Sequence, residues 1–312
     1  MNPDNSALDK TIGLNVHVDT FEGMRHGVPR LLELFASNDI LATFFVPMGK
    51  DHTGWTILRA LRRPGLLLKA RRGNAFGAYG LKTLMRGILL PGAEIARKHR
   101  DLLRLIANSG HELGIHGLDH VYWHDHIKLM DRQKTEATLR EAADVYKALL
   151  GTEARSFAAP GWMINRHALA FFEEHGFVYS ADTRGFSPFF PRMGGRSFSV
   201  LQLPLTMPTL DEVIGLEGND PQTLADFFIR ELTPGLNVFA AHTEFEGNRW
   251  TPFLDSFIKR SIDLGYRYKR LIDIANAVKA EGAIETDECS YGRVRGRAAE
   301  VTLQAVGHRA AP

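Results

Sequence analysis

The chain has 312 residues, enough for one large α/β domain or two small ones. Its 38 basic and 36 acidic side chains leave a net charge of +2, which points to no nucleic-acid partner. Its single cysteine, Cys289, excludes a disulfide framework and a thiolate metal site. Residues 1–10 form a polar extension without the basic-then-apolar layout of a signal peptide, and no apolar run reaches the length of a membrane span. A cytoplasmic protein is expected, with the option of lying against the inner face of a membrane.

In chain order, residues 11–18 form a short apolar β-type run that ends at Asp19. Val28, Leu31, Leu32 and Phe35 then recur at helical spacing, with Asn38 as a stop. Residues 41–46 read Leu-Ala-Thr-Phe-Phe-Val, a strand of the kind buried on both faces. The strand–helix pattern repeats through a helix at about 94–108, a strand into His116, and a helix at 131–150 stopped by Gly151. A strand at 156–158, a helix at 166–175 and a strand at 177–180 follow. Later elements are a strand at 200–203, a helix at 222–232, a strand at 237–241, and helices at 252–264 and 271–281. Such alternation predicts a parallel sheet, open or closed into a barrel. Asp19, His116, Asp182 and His242 all follow strand ends, where these folds place their chemistry.

Two segments break the rhythm. From 52 to 93 there are eight arginines and lysines among residues 59–86 and no Asp or Glu, with Trp55, Leu66, Leu67, Leu68, Phe76 and other apolar residues threaded between them. That composition suits a surface lying on anionic lipid, or an extra helical pair with a basic rim. From 283 to 312 there is little apolar periodicity, and a partly disordered tail is expected.

Residues 109–120, Ser-Gly-His-Glu-Leu-Gly-Ile-His-Gly-Leu-Asp-His, carry His116 and His120 at H-x-x-x-H spacing. One helical turn separates residues four apart, so both imidazoles can share an ion. With 13 histidines in the chain the spacing alone is weak. Asp19 strengthens it, because two imidazoles and a carboxylate form the facial set that leaves positions open on Zn²⁺ or Fe²⁺. Gly110-His111-Glu112 reads as a structural turn.

Several blocks together resemble the NodB-homology polysaccharide deacetylases. They are Val18-Asp19-Thr20-Phe21, the run from Gly27 to Leu32, His116 through His120, Pro160-Gly161-Trp162, Asp182-Thr183-Arg184-Gly185, the block from Leu205 to Gly215, and His242-Thr243-Glu244-Phe245-Glu246-Gly247. They cover nearly everything between 11 and 282. The last two blocks are most similar to the branch that deformylates undecaprenyl-phosphate-linked 4-formamido-arabinose, as in lipid A modification.

The resemblance implies a distorted seven-stranded parallel (β/α) barrel with the basic insertion added, and a divalent metal at its C-terminal face, usually Zn, with Co, Mn or Ni as options. It implies Asp19, His116 and His120 as metal ligands and His242 as the general acid. Asp182 and Arg184 would orient the catalytic groups and the sugar, unless they form a structural ion pair. Pro160, Gly161 and Trp162 would wall the sugar, and one of Glu244 and Glu246 would contact it, unless they are rim charges. The partners implied are an undecaprenyl-phosphate-linked amino sugar and an anionic membrane surface met through 52–93. The reaction implied is hydrolysis of an N-formyl or N-acetyl group, with another N-acetylated glycan, or silent binding of a lipid-linked sugar, as alternatives.

Two positions depart from the family pattern. His17 stands where the family has a carboxylate base, and base, additional ligand and inert neighbour are all open to it. Met163 stands where the deformylases place an arginine, and Arg166 is the nearby candidate to replace it.

Overall fold

The frame is set by one buried strand, β1 (Thr11–His17), whose neighbours flank it in parallel register. The structure, a computed structural model, describes residues 8–55 and 91–305. In chain order the further strands are β2 (Thr43–Val46), β3 (Lys50–Asp51), β4 (Ala93–Glu94), β5 (Glu112–Ile115), β6 (Ser156–Phe157), β7 (Tyr179–Ser180), β8 (Phe190–Met193), β9 (Arg196–Ser197), β10 (Leu201–Gln202), β11 (Leu236–His242), β12 (Arg267–Lys269), β13 (Thr286–Gly292) and β14 (Val301–Ala305). Seven of them run in the order β10-β7-β6-β5-β2-β1-β11, all parallel, with the short β12 also beside β1. Between β10 and β11 the N–H groups of Thr206 and Met207 both reach Val238 O at 3.2 Å. The parallel sheet that the alternation predicts therefore curls into a half-barrel, the distorted barrel that the resemblance implies.

The two faces of each strand divide the apolar residues. Ile12, Leu14, Val16, Phe44, Val46, Phe239 and Ala241 belong to the core between sheet and helices. Phe45, Ala158, Leu201, Leu203, Val238 and Ala240 belong to a second core inside the curl, which the helix Leu271–Glu281 closes from below with Leu271, Ile274 and Val278. Side chains alternate along a strand, so Gly13, Asn15 and His17 share the inner face of β1. Gly13 is small because the helix crosses there: a Cβ would sit 2.6 Å from Leu271 and 2.9 Å from Ile274.

Glu112 opens β5 and is a tether at the barrel floor, where a turn was expected. It accepts from Thr43 Oγ1 (2.8 Å), Ser156 Oγ (2.7 Å), Tyr179 OH (2.9 Å) and the backbone N–H of Ile272 (2.8 Å). Four donors on one buried carboxylate tie three strands to the floor helix.

The expected helix at 94–108 is broken at His99 into Ile95–Lys98 and Arg100–Asn108. Arg132–Leu150 keeps its predicted ends, with Asp131 accepting from Lys134 N–H and Gly151 at φ 77°. The expectation of a disordered tail is corrected up to Ala305. β13 pairs with β8 and β14, forming a second sheet, β14-β13-β8-β9. Its backbone is satisfied by pairing with distant β8, which local periodicity could not reveal, and Val301 is fully buried.

The basic insertion at 52–93 lies mostly at 56–90, outside the described residues, and so does the proposed lipid contact. Its two ends meet, since β3 pairs antiparallel with β4. At its foot His52 stacks on Trp55 and its Nδ1 pairs with Asp119, the residue before His120. Among the described residues no helix is long and apolar enough to cross a membrane.

Candidate functional site

At the C-terminal rim the strand parities converge. β1 and β11 are in register along seven pairs ending at His17 opposite His242, and both side chains follow the inward-facing row. His17 and His242 stand ring to ring at 5.3 Å. His116 follows β5 by one residue and meets His17 at 4.4 Å between ring centres. His120 does not share a helical turn with His116, as the spacing had suggested. A turn through Gly117, at φ 75°, separates the strand end from the helix His120–His126 that His120 opens. The same pair is thus brought together across a strand–helix junction.

Asp19 joins them. Its Oδ1 lies 3.4 Å from His116 Nε2 and 3.4 Å from His120 Nε2. Burial opposes its charge, but His120, His116 and His242 together hold the carboxyl well below the usual range. For His17 burial is the main influence, followed by His116 and His242, and the imidazole is held well below its usual pKa. It is neutral at pH 7.

Ligand atoms of His17, Asp19 and His116 all lie within 4.8 Å of one another. His116 Nδ1 faces Ala158 O at 2.7 Å, so that nitrogen carries the proton and Nε2 presents a lone pair. Among the described residues, His17 Nε2, Asp19 Oδ1 and His116 Nε2 find no hydrogen-bond partner and are buried. Crowded, dry acceptors with one fixed tautomer suit a divalent cation, and the residues present fit one. His17, which sequence patterns alone left open, is part of this cluster.

Behind the rim, two carboxylates hold the loops in place. Glu244 Oε1 accepts from Asp19 N–H (3.1 Å), Thr20 N–H (2.9 Å) and Thr20 Oγ1 (2.8 Å). Glu246 Oε2 accepts from His242 N–H at 2.8 Å. Both carboxyls are pushed up to about 8 by burial. At 4% and 0% exposure neither is a rim charge. They grip the backbone under Asp19 and His242 instead.

Trp162 lies over His17, with ring centres 5.4 Å apart and planes 29° from parallel. It sits in a tight turn, Pro160–Trp162, where Gly161 and Trp162 are both left-handed, at φ 64° and 54°. A bulky residue in that region costs about 1–3 kcal/mol, which the surrounding packing must offset. A Cβ on Gly161 would run into His124, and Pro160 packs on Gly117. In this turn the Trp162 ring lies against both His17 and His242.

Asp182 and Arg184 are not paired with each other. Asp182 is fully buried, accepts from Gln202 Nε2 at 3.1 Å, and is pushed up to about 7 by burial. Arg184 donates to both oxygens of Glu212, at 2.8 and 3.0 Å, and to Met207 O. Arg166 is exposed beside the Gly194 turn and does not replace an arginine at Met163. The guanidinium that does arrive comes from the tail: Arg297 lies 4.6 Å over the Trp162 ring. Sequence reasoning missed it because nothing local ties residue 297 to residue 162.

The curled parallel sheet agrees with the fold of solved structures that this chain resembles. Residues 89–180 match the family model described as Polysaccharide deacetylase. The chain belongs to the polysaccharide deacetylase family. It is 36% identical over 237 residues, 76% of either chain, to the "Probable 4-deoxy-4-formamido-L-arabinose-phosphoundecaprenol deformylase ArnD" of Shewanella sediminis. A protein of the same name from Wigglesworthia glossinidia brevipalpis is 31% identical over 81% of this chain and 88% of its own. A polysaccharide deacetylase structure from Mycobacterium smegmatis superposes with a TM-score of 0.61 at 17% identity, over 95% of this chain and 97% of that one, which shows a shared fold.

Proposed function

We propose that this protein is a metal-dependent hydrolase that removes an N-formyl group from an amino sugar carried on a polyprenyl phosphate. The observation that carries the reading is the buried cluster of His17, Asp19 and His116, flanked by His120 and facing His242 under Trp162. The names of the two relatives support the substrate class. A lipid-borne substrate also suits the basic, apolar composition of 52–93, which we assign to an anionic membrane surface at the cytoplasmic face.

Asp19, His116 and His120 would hold the cation, most simply Zn²⁺. When bound, it supplies Lewis acidity towards the acyl oxygen and makes a nearby water more acidic. His17, neutral through burial, accepts the proton of the attacking water at its free Nε2. His242 gives a proton to the departing sugar nitrogen as the C–N bond breaks, releasing formate and the free amine. Glu244 and Glu246 keep the Asp19 and His242 backbones in place, and Trp162 offers its face to the sugar ring.

The test is acid release from a short-chain polyprenyl phosphate bearing an N-formyl or N-acetyl amino sugar, with the protein chelated and then reloaded with zinc. Metal-dependent formate is the expected product. Acetate instead would keep the mechanism and move the substrate to an N-acetyl glycan.

One observation favours a second reading. His17 lies inside the ligand cluster and not apart from it, so its nitrogen can occupy a coordination position and leave no base. The protein would then bind the lipid-linked sugar without turning it over. His17→Asp separates the two: it creates activity from nothing under the binding reading and changes an existing rate under the hydrolase reading.

A further inference from the structure

Among the described residues, three N–H donors around one indole have no acceptor: Trp162 Nε1, Arg184 Nε and Arg297 Nε, all buried. The guanidinium carbons of Arg297 and Arg184 stand 4.6 and 5.6 Å from the Trp162 ring centre. Arg184 is 8% exposed. A single buried carboxylate serves both arginines. Glu212 is bidentate to Arg184 and lies 3.5 Å from Arg297 Nη1, while its backbone packs against Gly296. Glu212 Oε2 is also taken by Thr209 N–H at 3.1 Å, and neighbouring Asp211 accepts from Thr209 Oγ1 at 2.6 Å. Two guanidiniums share Glu212, with Asp211 as a second carboxylate acting on Arg184, and the three unused donors in this nearly dry place are costly unless an acceptor such as an anion completes them.

The two strands of the hairpin β13–β14, whose loop carries Arg297, are bonded to the segments that carry Arg184 and Trp162. Arg184 N–H donates to Thr302 O (2.9 Å), Gln304 N–H to Arg184 O (2.8 Å), Ile164 N–H to Thr302 Oγ1 (3.2 Å), and Tyr291 OH to Ile164 O (2.8 Å). The same indole stacks on His17, so one ring separates this cluster from the proposed reacting centre.

We infer that Trp162, Arg184 and Arg297 form a subsite for a phosphate ester on the sugar being hydrolysed, a placement that rests on the hydrolase reading above. Guanidinium forks match phosphate oxygens, and the indole N–H supplies a further donor. A sugar with its amide at the histidines and its phosphate at the arginines lies along the Trp162 ring. The phosphate can belong to a water-soluble glycosyl phosphate or to a polyprenyl phosphodiester.

The experiment compares three N-formyl amino sugars: one without phosphate, one as a soluble glycosyl phosphate, and one on a short-chain polyprenyl phosphate. Wild type and Arg297→Gln are assayed for KM and kcat, with Arg297→Lys as the conservative variant and melting temperature as the check on folding. Arg297→Gln should raise KM for phosphate-bearing sugars at least about tenfold more than for the phosphate-free one, with partial rescue by lysine. Whichever phosphate-bearing sugar wild type prefers names the source. An equal loss on all three sugars overturns the subsite and leaves Arg297 a brace for Trp162. If wild type turns over none of them, the hydrolase reading fails separately, and calorimetric binding of the glycosyl phosphate decides. At least tenfold weaker binding by Arg297→Gln supports the subsite, and unchanged binding overturns it.

Discussion

Residue by residue, the rim separates groups that we propose hold a cation from groups that keep those side chains in place. His116 has one nitrogen committed to Ala158 O and the other facing Asp19, so His116→Ala should abolish stoichiometric zinc and reduce formate release at least ~100-fold, measured by metal analysis and assay. His242 touches no ligand atom of the cluster in the same way. His242→Ala should keep zinc and lower kcat by ~10²–10⁴-fold, the range for losing a general acid. Glu246 makes the pH prediction. Burial pushes its carboxyl up to about 8 in the fold from an ordinary value of 4.5, so the folded state binds more protons than the unfolded chain between those values. Stability is therefore greatest below about 4.5 on this account and falls as pH rises through about 8. Glu246→Gln keeps an acceptor for His242 N–H and should flatten that part of the profile, seen in denaturant unfolding of the metal-free protein across pH 5–9.

At the level of elements, the floor of the barrel explains why β1 carries glycine in an apolar run. The helix Leu271–Glu281 crosses directly above Gly13, and its first N–H groups end on Thr43 Oγ1 and the Glu112 carboxylate. Gly13→Val would press two methyl groups into Leu271 and Ile274. The expected cost is about 1–3 kcal/mol, read as a lower denaturation midpoint with an unchanged zinc content. The alternation of strands and helices was legible because each element carries its own period. The hairpin β13–β14 was not, because its residues are held by pairing with β8 and by Arg184, both far away in the sequence. For the same reason Met163 looked like a lost arginine, when Arg297 brings a guanidinium to that ring from another sheet.

Across the whole molecule, the basic, apolar composition of 52–93 carries the proposed contact with an anionic lipid surface, and only the ends of that segment lie among the described residues. The insertion leaves and returns at one place, β3 against β4, next to the Asp119–His52 pair that adjoins His120. Vesicles containing anionic lipid should retain the protein at low salt and release it as salt rises, while neutral vesicles should not retain it in a sedimentation assay. Deleting 56–90 with a short linker across the β3–β4 join should remove that retention. Retention that survives the deletion would move the lipid contact elsewhere.

By itself the sequence determined the class of fold, the family and much of the rim: Asp19, His116, Asp182 and His242 were readable as polar residues following apolar strands, and His120 from its spacing to His116. Strand ends are local features, and a parallel sheet sends them all to one edge. Only the tertiary structure decided which side chains face one another. It placed His17 among the ligand atoms, turned Glu244 and Glu246 inward to grip backbone, separated Asp182 from Arg184, and brought Arg297 onto Trp162. Those outcomes depend on strand register, a two-residue left-handed turn and a sheet closed by distant segments, and no local pattern of residues encodes any of them.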